Sequence, residues 1–367
     1  MKKYSVIIVG LCLILVGCIR IATPESTIRP PNIQKNYETE IESYIAQLIP
    51  EEMELLTKEN LDERFEMKSI DVDLDGETEW LAFYGLPHIE RSYGFIVLQK
   101  NNGDWTLYFD QSFENSNYYI EDYFITDFDG DGYEDIIIEK GYGAAVKMAN
   151  IYKLKDKPEN LYTIQCNQME IIENEGSTPT LAIWLDAAYD IHYIELIKWK
   201  DGAFTLATYD HPDYYEKLIY HYSKIAMQTT DSIYHYYYAD ILMKAGQYEK
   251  GLEKINYFLD EDKLPSDVYI MKGNFVKAKC YYGLGEIEEA ELALNKAIIS
   301  KPYYIDKLLE AEILLIDIYL QKNMIEEALN ILDDNKDLFE SFREEDYKRQ
   351  MWLNTYTNKQ DEIIKRQ

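Results

Sequence analysis

Residues 127–139 of the chain read DFDGDGYEDIIIE, and residues 71–84 read DVDLDGETEWLAFY. In each stretch three acidic side chains alternate with other residues, a glycine follows, and a fourth carboxylate precedes a run of apolar residues. Asp and Gly favour tight turns, whereas β-branched and aromatic residues favour strands. Each stretch therefore predicts an acidic loop that enters a β-strand, and the two copies begin 56 residues apart.

The two acidic loops have the chemistry of a calcium site. Carboxylates at alternating positions around a left-handed glycine can surround one hard cation with oxygen ligands. The twelfth position, where an EF-hand has a bidentate glutamate, is Ala82 in the first loop and Ile138 in the second, and a predicted strand follows. An EF-hand is therefore excluded, whereas Asp- and Gly-rich turns with solvated carboxylates remain the alternative to a calcium site.

The loops resemble the D-x-D-x-D-G-x-x-D/E calcium loops of FG-GAP and VCBS-type repeats, although Glu79 departs from the usual Asp at the ninth position. The resemblance implies that Ca²⁺ is a structural cofactor. The implied ligands are Asp71, Asp73, Asp75 and Glu79 in the first loop, and Asp127, Asp129, Asp131 and Asp135 in the second.

Segments with a period of two predict hairpins after the loops. The predicted pairs are 94–100 with 105–109, 149–154 with 161–164, and 194–200 with 203–208, the last preceded by a strand at 180–185. Three similar β units are too few for a closed propeller. We therefore expect a multidomain chain whose first part, residues 38–210, is a short helix plus an open all-β repeat domain, propeller-like or sandwich-like.

From residue 212 onward the apolar period becomes that of helices, and glycine becomes rare. Small residues and a proline fall at the offsets of a tetratricopeptide repeat, and degenerate copies precede and follow this one. The residues that carry this resemblance are Ala278, Gly285, Ala290, Leu294, Ala297 and Pro302. The chain is thus expected to continue as an all-α tetratricopeptide (TPR) solenoid over residues 211–367.

In the tetratricopeptide family the first helix of each repeat lines a concave groove that binds peptides or helices of partner proteins. Carried over to this sequence, the resemblance implies a groove of mixed charge with aromatic side chains. A solvated helix face or a helix-packing contact is the alternative at each position. The groove residues are Tyr236, Asp240 and Lys244, then Lys272, Phe275 and Lys279, and finally Asp317.

The first eighteen residues have the features of an export signal. Lys2 and Lys3 precede an uncharged apolar stretch at 4–17 that is short for a membrane span and runs into LVGC at 15–18. This end resembles the lipobox of bacterial lipoproteins, which implies a signal peptide at 1–17, a covalent lipid on Cys18 and a tether at 18–37. We expect the protein on the extracytoplasmic face of the cell membrane, held by that lipid. An ordinary signal peptide or an uncleaved anchor is the alternative.

The composition excludes several functional classes. Lys and Arg number 37 against 67 Asp and Glu, a net charge of −30, which would repel nucleic-acid phosphates. Four cysteines in 367 residues are too few for a disulfide scaffold. Because the sequence contains no G-x-S-x-G, Walker A, H-E-x-x-H or G-x-G-x-x-G motif, we predict that the protein is not an enzyme.

Together these patterns predict a membrane-anchored extracytoplasmic lipoprotein that acts as a protein-binding scaffold. The helical repeats would bind a protein or peptide partner of the cell envelope, and Ca²⁺ would stiffen the β domain. The alternative is a surface lipoprotein that binds carbohydrate or cell wall through the β domain.

Overall fold

The computed structural model describes residues 40–366 apart from 58–64, 73–74, 88–91, 114–117, 143–145, 156–157, 175, 189–190, 230, 260–266, 300–304 and 336–346. The predicted signal peptide, Cys18 and the tether lie outside the described residues, as do Asp73 and Pro302. Within the described residues, an antiparallel β region is followed by a helical region, and this order of the two regions is the one that the sequence predicts. None of the described helices is both long and apolar enough to cross a bilayer.

The first sheet is antiparallel. Its described strands are β1 (Glu54–Leu55), β2 (Lys68–Ile70), β3 (Glu79–Gly85), β4 (Ser92–Asn101), β5 (Asp104–Ser112), β6 (Tyr119–Thr126), β7 (Asp135–Tyr142), β8 (Val146–Lys153) and β9 (Glu159–Cys166). Their order is β1-β3-β4-β6-β7-β8-β9, while β2 pairs with β3 and β5 pairs with β4.

The acidic loops lead directly into strands of this sheet, as predicted. The first loop enters β3 and the second enters β7. The predicted hairpins at 94–109 and 149–164 are confirmed as the pairs β4–β5 and β8–β9. Asn102 and Gly103 form the β4–β5 turn with φ of 53° and 94°, and positive φ at both central residues is what a type I′ hairpin turn requires.

The third predicted β unit forms a separate antiparallel sheet of four described strands. These are β10 (Gln168–Ile172), β11 (Thr180–Ala188), β12 (Ile191–Lys200) and β13 (Ala203–Leu206), paired in chain order. Both faces of this sheet are buried, because apolar residues point to each side of β11. Leu181 and Ile183 belong to one hydrophobic core, and Ala182 belongs to another.

The helical region follows the second sheet. After a short helix α1 at 40–45, which packs on the first sheet, the described helices are α2 (Pro212–Gln228), α3 (Ile233–Lys244), α4 (Tyr248–Leu259), α5 (Asp267–Leu284), α6 (Ile287–Ile299), α7 (Ile305–Gln321), α8 (Ile325–Asp334) and α9 (Tyr347–Arg366).

Three helical hairpins, α3–α4, α5–α6 and α7–α8, share one turn geometry. Gly246, Gly285 and Asn323 have φ of 74°, 79° and 60°. In each turn the N–H of the following residue bonds to the carbonyl five positions earlier, which is the Schellman cap that ends a helix on a left-handed residue. These bonds are Gln247 to Leu242 at 2.8 Å, Glu286 to Tyr281 at 2.9 Å and Met324 to Tyr319 at 2.8 Å.

The helices pack on both sides of the second sheet. One hydrophobic core joins Phe204 of β13 to Leu309 of α7 and Trp352 of α9, and another joins Leu196 of β12 to Tyr215 of α2. The hydrophobic cores therefore cross residue 210, where the sequence predicts a domain boundary.

Candidate functional site

The second acidic loop is folded around its own carboxylates. Asp127 accepts hydrogen bonds from the backbone N–H groups of Gly130 and Gly132 at 2.8 and 3.0 Å. Asp129 accepts one from the N–H of Asp131 at 3.1 Å. The two glycines have φ of 76° and 89°, a region that side chains disfavour, and these left-handed turns curl the chain so that its carboxylates converge.

Asp135 is the buried member of this loop. Its side chain is 0% exposed, and its Oδ2 accepts the N–H of Phe128 at 3.1 Å. Burial, followed by the charge of Asp129, raises the pKa of Asp135 to about 7.

Three of the predicted ligands of the second loop come together. One carboxylate oxygen from each of Asp127, Asp129 and Asp135 lies within 4.8 Å of the other two. Among the described residues, Oδ1 of Asp135 is buried and has no hydrogen-bond partner. A buried oxygen without a partner beside two further carboxylates fits a hard divalent cation such as Ca²⁺, which prefers oxygen ligands.

Two lysines approach the same loop from the end of β8. Nζ of Lys153 lies 2.7 Å from Oδ2 of Asp131 and also contacts Oδ2 of Asp129. Nζ of Lys155 lies 3.6 Å from Asp131 and 3.9 Å from the centre of the Tyr133 ring. Asp131, which the family resemblance places among the metal ligands, is therefore paired with lysines and lies outside the group of converging oxygens.

The first loop repeats one hydrogen bond of the second. Oε2 of Glu79 accepts the N–H of Val72 at 2.8 Å, just as Asp135 accepts the N–H of Phe128. Glu79 is 5% exposed, so the glutamate at the ninth position occupies the same kind of buried place as the aspartate of the second loop.

Of the other predicted ligands of the first loop, the structure describes Asp71 and Asp75. Oδ1 of Asp71 is buried without a hydrogen-bond partner among the described residues, and Asp75 is exposed and accepts the N–H of Glu77 at 2.6 Å. Asp73 lies outside the described residues. A metal site in the first loop therefore stays a prediction.

The groove residues on α3 are buried against the second sheet. Tyr236, Asp240 and Lys244 are 3%, 6% and 5% exposed. Nζ of Lys244 lies 2.8 Å from Asp240, donates to the Ile194 carbonyl of β12 at 2.8 Å, and lies 4.3 Å from the centre of the Tyr193 ring. This part of the predicted groove is thus filled by β12 of the same chain.

The remaining groove residues lie in two places. Phe275 is buried among the helices, and Nζ of Lys272 lies 5.7 Å from the centre of the Tyr269 ring. Lys279 and Asp317 instead line a cavity of about 570 Å³ where α4, α5, α7 and α9 meet β13.

This cavity combines paired charges with aromatic walls. Lys279 pairs with Glu310, and Asp317 pairs with Lys359 of α9. Burial raises the pKa of Asp317. Pockets of this volume with mainly apolar walls and a few polar groups are typical of ligand sites. The aromatic lining residues are Tyr209, Tyr248, Tyr282 and Trp352.

Sequence reasoning missed Lys153, Glu310 and Lys359. The sequence predicts no pairing between β7 and β8, and it is this pairing, with Ile136 opposite Tyr152, that brings the next position, Lys153, to the acidic loop. Glu310 and Lys359 lie 31 and 42 positions from their partners on other helices, and no periodic pattern in the sequence connects them.

No protein-family model matches this sequence, and no curated protein matches it. The function is therefore inferred from the residues and their geometry.

Proposed function

We propose that the protein is a lipid-anchored, extracytoplasmic binding protein without catalytic activity, and that its helical region holds a protein or peptide partner. The order of basic residues, apolar stretch and Cys18 supports the anchor and the membrane location. The net charge of −30 favours an outward placement, because an anionic membrane surface repels it.

The proposal includes tetratricopeptide-type repeats in the helical region. It is supported by the recurrence of one turn conformation: a residue with positive φ ends the first helix of each hairpin, at Gly246, Gly285 and Asn323, which are 39 and 38 residues apart. Ala278 and Ala290, at two of the repeat offsets, are 0% exposed, and such small residues let the paired helices approach closely.

The proposal also includes FG-GAP or VCBS-type calcium loops in the β region. In the second loop Asp127, Asp129 and Asp135 would hold Ca²⁺, and the ion would offset the mutual repulsion of their charges. The strand β7 begins at Asp135, so the same carboxylate joins the loop to the sheet. Ca²⁺ would have a structural role there.

The observation that supports partner binding best is the cavity between α5, α7, α9 and β13. It contains Lys279 and Asp317 from the predicted groove, and its aromatic lining resembles the pockets that hold anchor side chains in protein interfaces. Because β12 fills the groove on α3, the partner would insert one side chain or a short segment here rather than lie along the whole groove.

Site-specific photo-crosslinking in intact cells tests this proposal. A benzophenone amino acid replaces Tyr282, which lines the cavity, or Tyr220 of α2, which is 76% exposed and lies outside it. We expect one defined envelope protein to be crosslinked from position 282 and not from position 220. The crosslink should be lost when Thr355→Phe fills the cavity, with the fold checked by circular dichroism.

Two outcomes would contradict the proposal. One is the same set of crosslinked proteins from positions 282 and 220, which would indicate random collisions. The other is an undiminished crosslink in the Thr355→Phe variant, which would place the partner outside the cavity.

A further inference from the structure

Two of the five tryptophans lie in an open cleft beside the first acidic loop. The cleft has a volume of about 470 Å³ and lies on the first sheet, away from the cavity between the helices. Its main lining residues are Trp80, Trp105, Lys100, Glu77, Ser69 and Thr78, and we call it the tryptophan cleft.

The strand register places both indoles on one face of the sheet. Trp80 of β3 pairs with Leu98 of β4, and Trp105 of β5 pairs with Lys100, two positions further along β4. Positions two apart on a strand point to the same side, and β3 and β5 flank β4. The backbones of the two tryptophans are therefore separated by two strand spacings across the sheet and two residues along it, roughly 12 Å on one surface.

These two indoles differ from the tryptophans of the second sheet. The indole N–H of Trp184 donates to the hydroxyl of Tyr214 at 2.9 Å, and the ring of Trp199 packs against Phe204 at 5.3 Å between centres. Within the part of the chain that the structure describes, neither indole N–H has an acceptor and neither ring packs against another aromatic ring, while Nζ of Lys100 lies 5.7 Å from the centre of the Trp105 ring. Two large amphipathic side chains are thus presented at the surface of a cleft.

We propose that the tryptophan cleft binds a neutral oligosaccharide. A pyranose ring offers an apolar C–H face that an indole can cover, and its hydroxyls can accept from the indole N–H or bond to Ser69 and Thr78. Among the described lining residues, Glu77 and Lys100 are the charged pair, and their charges offset each other. The overall charge of −30 disfavours anionic polymers and nucleic acids as ligands.

The spacing of the indoles indicates the size of the ligand. One sugar ring covers one indole, so a chain of several sugar units is needed to contact both. The site is independent of partner binding by the helical region, because it uses no residue of the cavity.

A competing occupant is the chain itself. Helix α1 packs on the same face of the sheet through Ile41 and Ile45, in one cluster with Trp80 and Trp105. The described region therefore begins on the face of the sheet that carries the cleft, and a test must distinguish an N-terminal segment of the chain from a saccharide.

Calorimetry with the full chain tests the proposal, with chitotetraose, cellotetraose and maltotetraose as probes. We expect at least one of these to bind, and Trp80→Ala and Trp105→Ala each to lower its affinity about tenfold, the effect of losing one ring contact. Trp105→Tyr should retain part of the affinity, and Tyr220→Ala, a matched exposed aromatic, should leave it unchanged. If Trp80→Ala does not fold, protection of the wild-type indoles from acrylamide quenching by the bound tetrasaccharide replaces that variant.

Three results would overturn the proposal: no binding of any tetrasaccharide, binding that both tryptophan variants retain, or binding that appears only after deletion of residues 19–39. The last result would show that the N-terminal segment, and not a saccharide, is the natural occupant of the tryptophan cleft.

Discussion

Nζ of Lys153 lies 2.7 Å from Oδ2 of Asp131, so a lysine ammonium rests on the acidic loop that resembles a calcium site. The same ammonium contacts Asp129, which is one of the three converging carboxylates. A divalent ion that binds this loop therefore competes with a cation that belongs to the protein. We expect this internal counter-charge to stabilise the loop without metal and to oppose the binding of a metal ion there.

Replacing Lys153 should strengthen calcium binding. We expect Lys153→Met to raise the affinity for Ca²⁺ about tenfold, because one competing charge is removed, and to lower the melting temperature of the metal-free protein. Calorimetric titration and thermal unfolding with and without Ca²⁺ measure the two effects. Lys155→Met is the matched control and should change the affinity less, because its Nζ lies 3.6 Å from Asp131. Unchanged or weaker Ca²⁺ binding by Lys153→Met would refute the competition.

Calcium binding to the second loop should release a proton near neutral pH. The pKa of Asp135 is raised to about 7, whereas a bound Ca²⁺ requires the carboxylate form. We expect the affinity to fall as the pH is lowered from 8 to 6, and the binding heat to depend on the ionisation enthalpy of the buffer. Asp135→Asn should abolish both effects. Asp104→Asn, at an exposed position, is the control and should leave both effects unchanged. Equal affinity at pH 6 and pH 8 would be inconsistent with Asp135 as a ligand.

Glu139 of β7 should make the metal-free protein less stable at alkaline pH. Burial raises the pKa of this side chain from 4.5 to about 7, against the opposing charge of Lys147. The folded state thus holds a proton that the unfolded state gives up, so this stability is fully present below pH 4.5 and is lost as the pH rises through 7.

Glu139→Gln removes this loss because an amide stays neutral. At pH 8 the free energy of unfolding should rise by about 3 kcal/mol relative to the unsubstituted protein, and at pH 5 by less than about 1 kcal/mol. Urea unfolding at both pH values measures the difference. A variant that is equally destabilised at pH 5 and pH 8 would indicate lost packing rather than a titration effect.

The turn between α5 and α6 should require glycine. Gly285 has φ of 79°, and a β-carbon disfavours this conformation although no atom stands within 4 Å of its place. Gly285→Ala should therefore lower the free energy of unfolding by about 1 kcal/mol through backbone strain alone. Glu286→Ala is the neighbouring control and should have a small effect. Equal stability of both variants in urea would argue against the left-handed cap.

Lys244 and Asp240 should behave as a structural pair rather than as a partner-binding surface. Lys244→Met leaves a buried carboxylate without its partner, so we expect a loss of about 3 kcal/mol in the free energy of unfolding. Lys244→Met combined with Asp240→Asn should recover most of that loss, because neither position of the pair is then charged. If Lys244→Met is as stable as the unsubstituted protein, the contacts of Lys244 with Asp240 and with the Ile194 carbonyl do not stabilise the fold.

Features set by neighbouring residues were predictable. The hairpin turn at Asn102 and Gly103, the entry of both acidic loops into strands, and the helix cap at Gly285 all depend on the conformational preferences of a few adjacent residues. The apolar periods also separate the β region from the helical region. Each of these signals lies within a short window of the sequence, so no distant contact is needed to detect it.

Features set by distant contacts were not predictable from one sequence. Tyr236 is a predicted groove residue, yet it is 3% exposed because its ring packs against Phe258 of α4 and Tyr269 of α5. Lys359 reaches Asp317 from a helix that sequence reasoning treated only as the end of the solenoid.

The sequence by itself determined the order of β and helical regions, the two acidic loops and the turns between paired helices, because turn propensity and apolar periodicity act locally. Only the tertiary structure decided that Lys153 contacts the second loop, that β12 packs against Lys244 of α3, and that α9 and β13 close a cavity over Lys279 and Asp317. Burial of apolar surface drives those contacts, and it depends on which faces meet in space rather than on which residues adjoin in the chain.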